Sequence, residues 1–194
     1  MSPLELPQIM ARTAELKFEM ASERRIGTLL QVLAASRSAG RLLELGTGTG
    51  VSTAWLLSGM DQNSSLISVD TDPRVQTVAR DLLGHDPRLN LLTEDAAAFL
   101  RVQPKHSFDL IFADAMPGKY ECLDDALVLV KPGGFYVIDD LLPQPNWPAG
   151  HAEKVPNLLY RLSSNPEFHM ASMAWASGVA VLVRKSILGV PPRI

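Results

Sequence analysis

Apolar residues in the first forty positions recur at three- and four-residue steps, at Ile9, Leu16 and Met20 and then at Ile26, Leu29, Leu30 and Leu33. This spacing stacks side chains on one helical face and predicts two amphipathic helices. Ser22-Glu23 marks the start of the second helix and Gly40 its end. From Arg41 the period changes. RLLEL (41–45), SLISVD (65–70), RLNLLT (88–93), FDLIFA (108–113) and GFYVID (134–139) are apolar runs of strand length. VSTAWLLSGM, DPRVQTVARDLLG, DAAAFLRV and YECLDDALVLV lie between them and have helical length. Strand alternating with helix predicts right-handed crossovers and a parallel sheet covered on both faces.

Near the C-terminus the rhythm breaks. AEKVPNLLYRLSSN is a helix candidate disturbed by Pro156, and FHMASMAWA and GVAVLVRKS flank Ser177-Gly178, the pattern of an antiparallel hairpin at a sheet edge. The expected fold class is therefore α/β, with five parallel strands and two antiparallel ones making a mostly parallel seven-stranded sheet behind two N-terminal helices. A single domain over 1–194 is expected, with a helical cap at 1–40, the sheet at 41–185 and a loose tail at 186–194. LPQPNWPAGH (142–151) is the one long irregular connection, and loops of that kind are often functional, so it is expected over the site.

Composition narrows the class. The chain has 194 residues, 46% hydrophobic and 20% charged, and no run approaches the roughly 18 apolar residues of a membrane-spanning helix. The N-terminal MSPLELPQIM lacks the basic cluster and apolar run of a signal peptide. Cys122 is the only cysteine, which excludes an intramolecular disulfide and a multi-cysteine zinc site. A cytoplasmic location fits best. Eighteen basic against 21 acidic side chains, with no basic tract, disfavour nucleic acid as a partner.

The chemistry concentrates in LLELGTGTGVST (42–53), where a strand candidate enters a glycine-rich turn and then a helix. Gly46, Gly48 and Gly50 allow close backbone approach to a ligand, and the helix start offers free amides. A dinucleotide fingerprint would read GxGxxG, but Val51 follows Gly50, so the third glycine arrives one place early. Glu44, two residues before the first glycine, disfavours a diphosphate and suits an ammonium group. Asp70 ends the second strand, where a carboxylate can accept both hydroxyls of a ribose, and Asp95 follows the third, either beside an adenine or as a helix N-cap.

Taken together, Glu44-x-Gly46-x-Gly48-x-Gly50, Asp70, Asp95 and FDLIFADA resemble a class I S-adenosylmethionine-dependent methyltransferase, whose fold is Rossmann-like and doubly wound. More narrowly, residues 25 to 185 are similar to the small O-methyltransferases of the catechol and caffeoyl-CoA type. The resemblance implies transfer of a methyl group from S-adenosylmethionine to a hydroxyl of a small molecule by a homodimer. It implies that Glu44 meets the methionine amino group and Ser52 the carboxylate. Gly46, Thr47 and Gly48 would pass beneath the cofactor, Asp70 and Thr71 would hold the ribose, Asp95 and Ala96 would frame the adenine, and Asp114 would close the donor side.

The narrower resemblance also implies a divalent cation such as Mg²⁺, held by Asp114 and the pair Asp139-Asp140, that chelates two adjacent acceptor oxygens. Asp140 stands where the family carries Asn, which leaves open a metal-free variant with an aspartate as base. Asp114, Asp139 and Lys119 are the catalytic candidates. The family's lysine lies three residues after its first aspartate, whereas Lys119 lies five after Asp114, across Pro117-Gly118, so it reads either as an active-site group or as a solvated lysine. Trp147 reads as a stacking platform or a packing plug, and His151 as a base or a surface residue. Two other classes stay in view. A nicotinamide-dependent oxidoreductase shares the sheet and the acid at 70, though Val51 and Glu44 argue against it, and a non-catalytic binding subunit would not need the aspartate cluster.

Overall fold

A computed structural model describes residues 2–186. Seven strands, β1 (Arg41–Leu45), β2 (Ser65–Asp70), β3 (Leu89–Thr93), β4 (Phe108–Ala113), β5 (Val130–Ile138), β6 (Phe168–Met173) and β7 (Val179–Arg184), form one sheet in the order β3-β2-β1-β4-β5-β7-β6. The first five are parallel, while β7 runs antiparallel between β5 and β6. β1 is central: Leu42 pairs with Leu66 on one side and Leu110 on the other. Each strand alternates its side chains between faces, so two apolar layers result. Leu42, Leu66, Leu110 and Phe112 face α1 (Leu6–Glu15), α2 (Arg24–Ala35), α3 (Val51–Gly59) and α4 (Pro73–Leu83). Leu43, Ile111, Tyr136 and Leu182 face α5 (Ala96–Val102), α7 (Leu123–Leu127) and α8 (Lys154–Ser163).

Local chemistry explains the helices. In α4, Asp72 caps the N-terminus by accepting from the Arg74 N–H at 2.9 Å, Pro73 occupies the first turn, and Val75, Val78, Ala79 and Leu83 bury one face. α3 is buried from Val51 through Leu57, because it lies between the sheet and α2. Pro156 does not disturb α8: it is the third residue of the helix, where the N–H has no intrahelical acceptor to lose. The strand alternation and the C-terminal hairpin are as expected, and no described helix is long and apolar enough to cross a membrane.

Three boundaries differ from the periodicity. α1 ends at Glu15, with Leu16 as its C-cap and Lys17 at a φ of +53°, and Met20 lies on the irregular stretch that follows; Leu16 and Met20 are both exposed. α2 starts at Arg24 as expected but stops at Ala35; the Gly40 carbonyl instead accepts from the Ser65 N–H at 2.9 Å at the entry to β1. YECLDDALVLV contains only the short α7, and its last residue, Val130, opens β5 by pairing with Phe108. The apolar run VLV satisfies both periods, and strand pairing with β4 decides it. The expected tail, apart from Ser186, lies outside the described residues.

Candidate functional site

Strand order reverses between β1, which continues outward to β2 and β3, and β4, which continues to β5. In an open parallel sheet a crevice forms outside the carboxyl ends at this point. Here it is a cavity of about 540 Å³, walled by the turn after β1, the ends of β2, β4 and β5, the stretch 18–23 and the loop 144–148.

On the β1 side the turn is shaped by glycine. Gly46 has a φ of +99°, and a Cβ there would lie 2.8 Å from the Asp114 carbonyl oxygen, so the backbones of β1 and β4 touch only because the side chain is absent. Asp70 braces the turn. Its Oδ2 accepts from the Gly48 N–H at 2.7 Å and its Oδ1 from the Asp72 N–H at 2.9 Å. Asp70 lines the cavity and each oxygen keeps acceptor capacity for a further donor, which suits the hydroxyls of a diol. Ser52, at the start of α3, and Thr71 complete this wall, with Thr47 beneath. An adenosine bearing a short zwitterionic chain fits this donor set.

Two residues expected here are elsewhere. Glu44 is fully buried under the turn and does not line the cavity. Its Oε2 accepts from the Thr53 and Ser68 hydroxyls, each at 2.5 Å. Burial pushes its carboxyl up to about 7, against the opposing pull of hydroxyls from Ser52, Ser68 and Thr53. It acts on the turn through Ser68, whose hydroxyl lies 2.6 Å from that of Thr47. Asp95 is exposed and spends its carboxylate capping α5 through the Ala97 N–H at 2.9 Å, while Ala96 reaches the cavity.

The opposite wall holds Asp114, Asp139, Asp140 and Lys119. Lys119 is not a solvated lysine: it is 4% exposed, with Nζ 3.8 Å from Asp114 Oδ1. Pro117 is extended and Gly118 has a φ of +87°, so the four residues Met116–Lys119 form a kinked turn, α6, that carries the lysine back over the end of β4. The Tyr136 hydroxyl donates to the Gly118 carbonyl and fixes that turn. Burial raises the Asp114 carboxyl; Lys119 pulls it down, and Asp139 and Asp140 push it further up. Asp139 is raised as well, first by burial, against hydrogen bonds from Ser177 and from its neighbour's backbone.

The expected cation site is not formed. Among the described residues no three His, Cys, Asp or Glu side chains are arranged to hold a metal ion. Asp139 Oδ1 accepts from the Ser177 hydroxyl and, at 2.7 Å, from the Asp140 N–H. Asp140, at a φ of +62°, gives its Oδ2 to the Trp147 indole N–H at 2.6 Å. Asp114 Oδ2 faces the Ser22 hydroxyl at 3.3 Å. A hard cation needs several oxygens at about 2.0–2.6 Å, whereas one oxygen of each aspartate here is engaged with a donor and the cluster lies beside an ammonium group.

Trp147 and His151 come together. Their rings lie 4.5 Å apart, and Tyr120 meets His151 edge-on with its hydroxyl 3.1 Å from Nε2. His151 is thus largely buried and lowered from its ordinary value, first by burial and then by the charge of Lys119. The sequence offered no signal for Ser22, Tyr120 and Ser177, nor for Phe18 lying over Gly48. The Asn146 amide donates to the Glu19 carbonyl at 3.0 Å and joins the two loops across the mouth. Each depends on segments that meet only after folding; Pro-rich 142–151 was the one hint.

The model of a methyltransferase-domain family matches residues 43–141, just over half of the chain. A candidate O-methyltransferase of Mycolicibacterium vanbaalenii is 36% identical over 118 residues, which are 58% of this chain and 52% of that protein. The matched region thus spans about half the length of the curated relative. Among solved structures, the Streptomyces achromogenes O-methyltransferase TomG superimposes with a TM-score of 0.82 at 22% identity, over 96% of this chain and 92% of its own. The Bacillus cereus O-methyltransferase gives 0.78 at 19%, over 93% and 90%. These likenesses establish the fold. With that fold, and with the family model covering the strands and turn that build the cavity, the chain belongs to the methyltransferase-domain family.

Proposed function

We propose that the protein transfers the methyl group of S-adenosylmethionine to a hydroxyl of a small molecule. The observation that carries this reading is the cavity itself, with Asp70 and the glycine turn on one wall and a carboxylate-lysine cluster on the other. Support comes from two structural neighbours, TomG solved in complex with SAM and the Bacillus cereus enzyme in complex with SAH, and from curated relatives described as O-methyltransferases.

The donor supplies a methyl group on positively charged sulfur, so the chain has to align two molecules and take one proton. Asp70 holds the ribose hydroxyls and Ser52 meets the carboxylate. Asp139, 2% exposed at the end of β5, takes the proton of the acceptor hydroxyl as oxygen attacks the methyl carbon and the C–S bond breaks toward sulfur. Asp114, between the donor and acceptor walls, faces the sulfonium charge. Trp147 and Tyr120 flank the space for the acceptor.

The test is thermal stabilisation combined with turnover. S-adenosylhomocysteine at a hundred times its Kd should stabilise by about 2.7 kcal/mol, roughly 5–10 °C in Tm, and a panel of phenols should yield S-adenosylhomocysteine from S-adenosylmethionine. Stabilisation by NAD with none by S-adenosylhomocysteine would replace this reading with the oxidoreductase.

A further inference from the structure

The acceptor wall combines three carboxylates with one ammonium group, and the ammonium is held by the fold. Lys119 reaches the cluster because Pro117-Gly118 reverses the chain, and that reversal is built in. A Cβ at Gly118 would lie 2.5 Å from Leu45 Cδ1, and the Gly118 carbonyl accepts from the fully buried Tyr136 hydroxyl. Among the described residues the ammonium has one ion pair, to Asp114 at 3.8 Å, and the face of Tyr120 at 5.9 Å. An ammonium has three donors, so Lys119 retains donors for an oxygen in the cavity it lines. One oxygen of each aspartate, meanwhile, is engaged: Asp139 Oδ1 by the Ser177 hydroxyl and the Asp140 N–H, Asp140 Oδ2 by the Trp147 indole and Asp114 Oδ2 by Ser22.

We propose that Lys119 is the fixed cation of the acceptor site, standing where a divalent ion would have to sit, and that methyl transfer proceeds without a metal. An ammonium buried against these carboxylates already neutralises part of their charge and repels a second cation, so it opposes entry of a divalent ion. The functional consequence concerns the acceptor. A divalent ion with open positions chelates two adjacent oxygens, whereas an ammonium donates to one, so the site accepts a lone hydroxyl and does not require a vicinal pair. This inference rests on the methyl-transfer reading for its chemistry but not for its test.

The test uses Mn²⁺ as the probe, read by electron paramagnetic resonance on the full chain with S-adenosylhomocysteine added. The wild-type protein should leave the free-ion spectrum unchanged at millimolar Mn²⁺. Lys119→Met, which removes the charge and keeps the length, should bind Mn²⁺ roughly tenfold tighter or more, while Lys119→Arg should behave as wild type. Micromolar Mn²⁺ binding by the wild-type protein overturns the proposal, whether or not any variant folds. So does a folded Lys119→Met protein that binds no better than wild type. Turnover of a monophenol in excess EDTA should equal that without EDTA; its loss also overturns the proposal. If no acceptor is methylated under any condition, the methyl-transfer reading fails, and the Mn²⁺ spectra still decide the role of Lys119.

Discussion

Replacing Glu44 by Gln tests whether the glycine turn rests on a buried acid. An ordinary glutamate releases its proton near 4.5, but Glu44 does so near 7 because burial outweighs the hydroxyls of Ser52, Ser68 and Thr53. Between those two pH values the folded chain holds a proton that the unfolded chain has released. Stability therefore falls as pH rises through this window and levels off above 7. Each tenfold change in proton affinity corresponds to about 1.4 kcal/mol, so Glu44 costs the folded state about 3 kcal/mol at alkaline pH relative to acid pH. At roughly 2–4 °C per kcal/mol for a chain of this size, that is about 6–12 °C in Tm. The assay is Tm by circular dichroism across this window for wild type and Glu44→Gln. Asp114 and Asp139 titrate in both proteins and cancel in the comparison. Any constant offset from the amide cancels too, because only the slopes are compared. The amide of the Glu44→Gln variant cannot ionise, so its curve should be flatter by that amount; parallel curves would refute the reasoning.

Asp70→Ala removes the acceptor of the Gly48 N–H and, on the proposed function, the partner of the ribose hydroxyls. At about 1.5–3 kcal/mol for each charge-assisted bond, S-adenosylhomocysteine affinity should fall about a hundredfold in calorimetry; unchanged affinity would remove Asp70 from the donor wall. Gly50→Ala and Gly133→Ala form a matched pair, with φ of +93° and +76°. A Cβ at Gly50 would lie 2.7 Å from that of Ala79, whereas at Gly133 it meets nothing within 4 Å. Denaturant unfolding should show a loss of about 2–5 kcal/mol for Gly50→Ala and about 1–2 kcal/mol for Gly133→Ala, and equal losses would refute the close approach. Trp147→Phe keeps an aromatic side chain and deletes the donor to Asp140, so kcat/KM for the acceptor should drop about tenfold with donor affinity intact.

The sheet was legible because its strands are short apolar runs punctuated by helical segments, and β1 to β4 have the bounds the pattern suggests to within a residue. The donor wall was legible for a related reason. Gly46, Gly48 and Asp70 act at strand ends and in a tight turn, where local backbone geometry dictates the residue type. Glu44 shows the limit of that reasoning. Its distance from the glycines is local, but the direction of its side chain, under the turn toward Thr53 and Ser68, follows from the pairing of β1 with β2.

The acceptor wall is tertiary throughout. Ser22 precedes α2, Lys119 follows β4, Asp139 ends β5, Trp147 and His151 belong to a Pro-rich loop and Ser177 sits in the last hairpin. No period relates them, and their meeting depends on the reversal of strand order beside β1. Lys119 is the sharpest case. Five residues from Asp114, it reads from sequence as a solvated lysine or as a functional one. Burial of Gly118 against Leu45, with the Tyr136 hydroxyl on its carbonyl, turns the ammonium inward. Residue order alone thus settled the sheet and the glycine turn, because periodicity and turn geometry act over a few neighbours. Packing settled which carboxylates face the cavity and which cation they face, because desolvation and charge pairing depend on groups far apart in the chain.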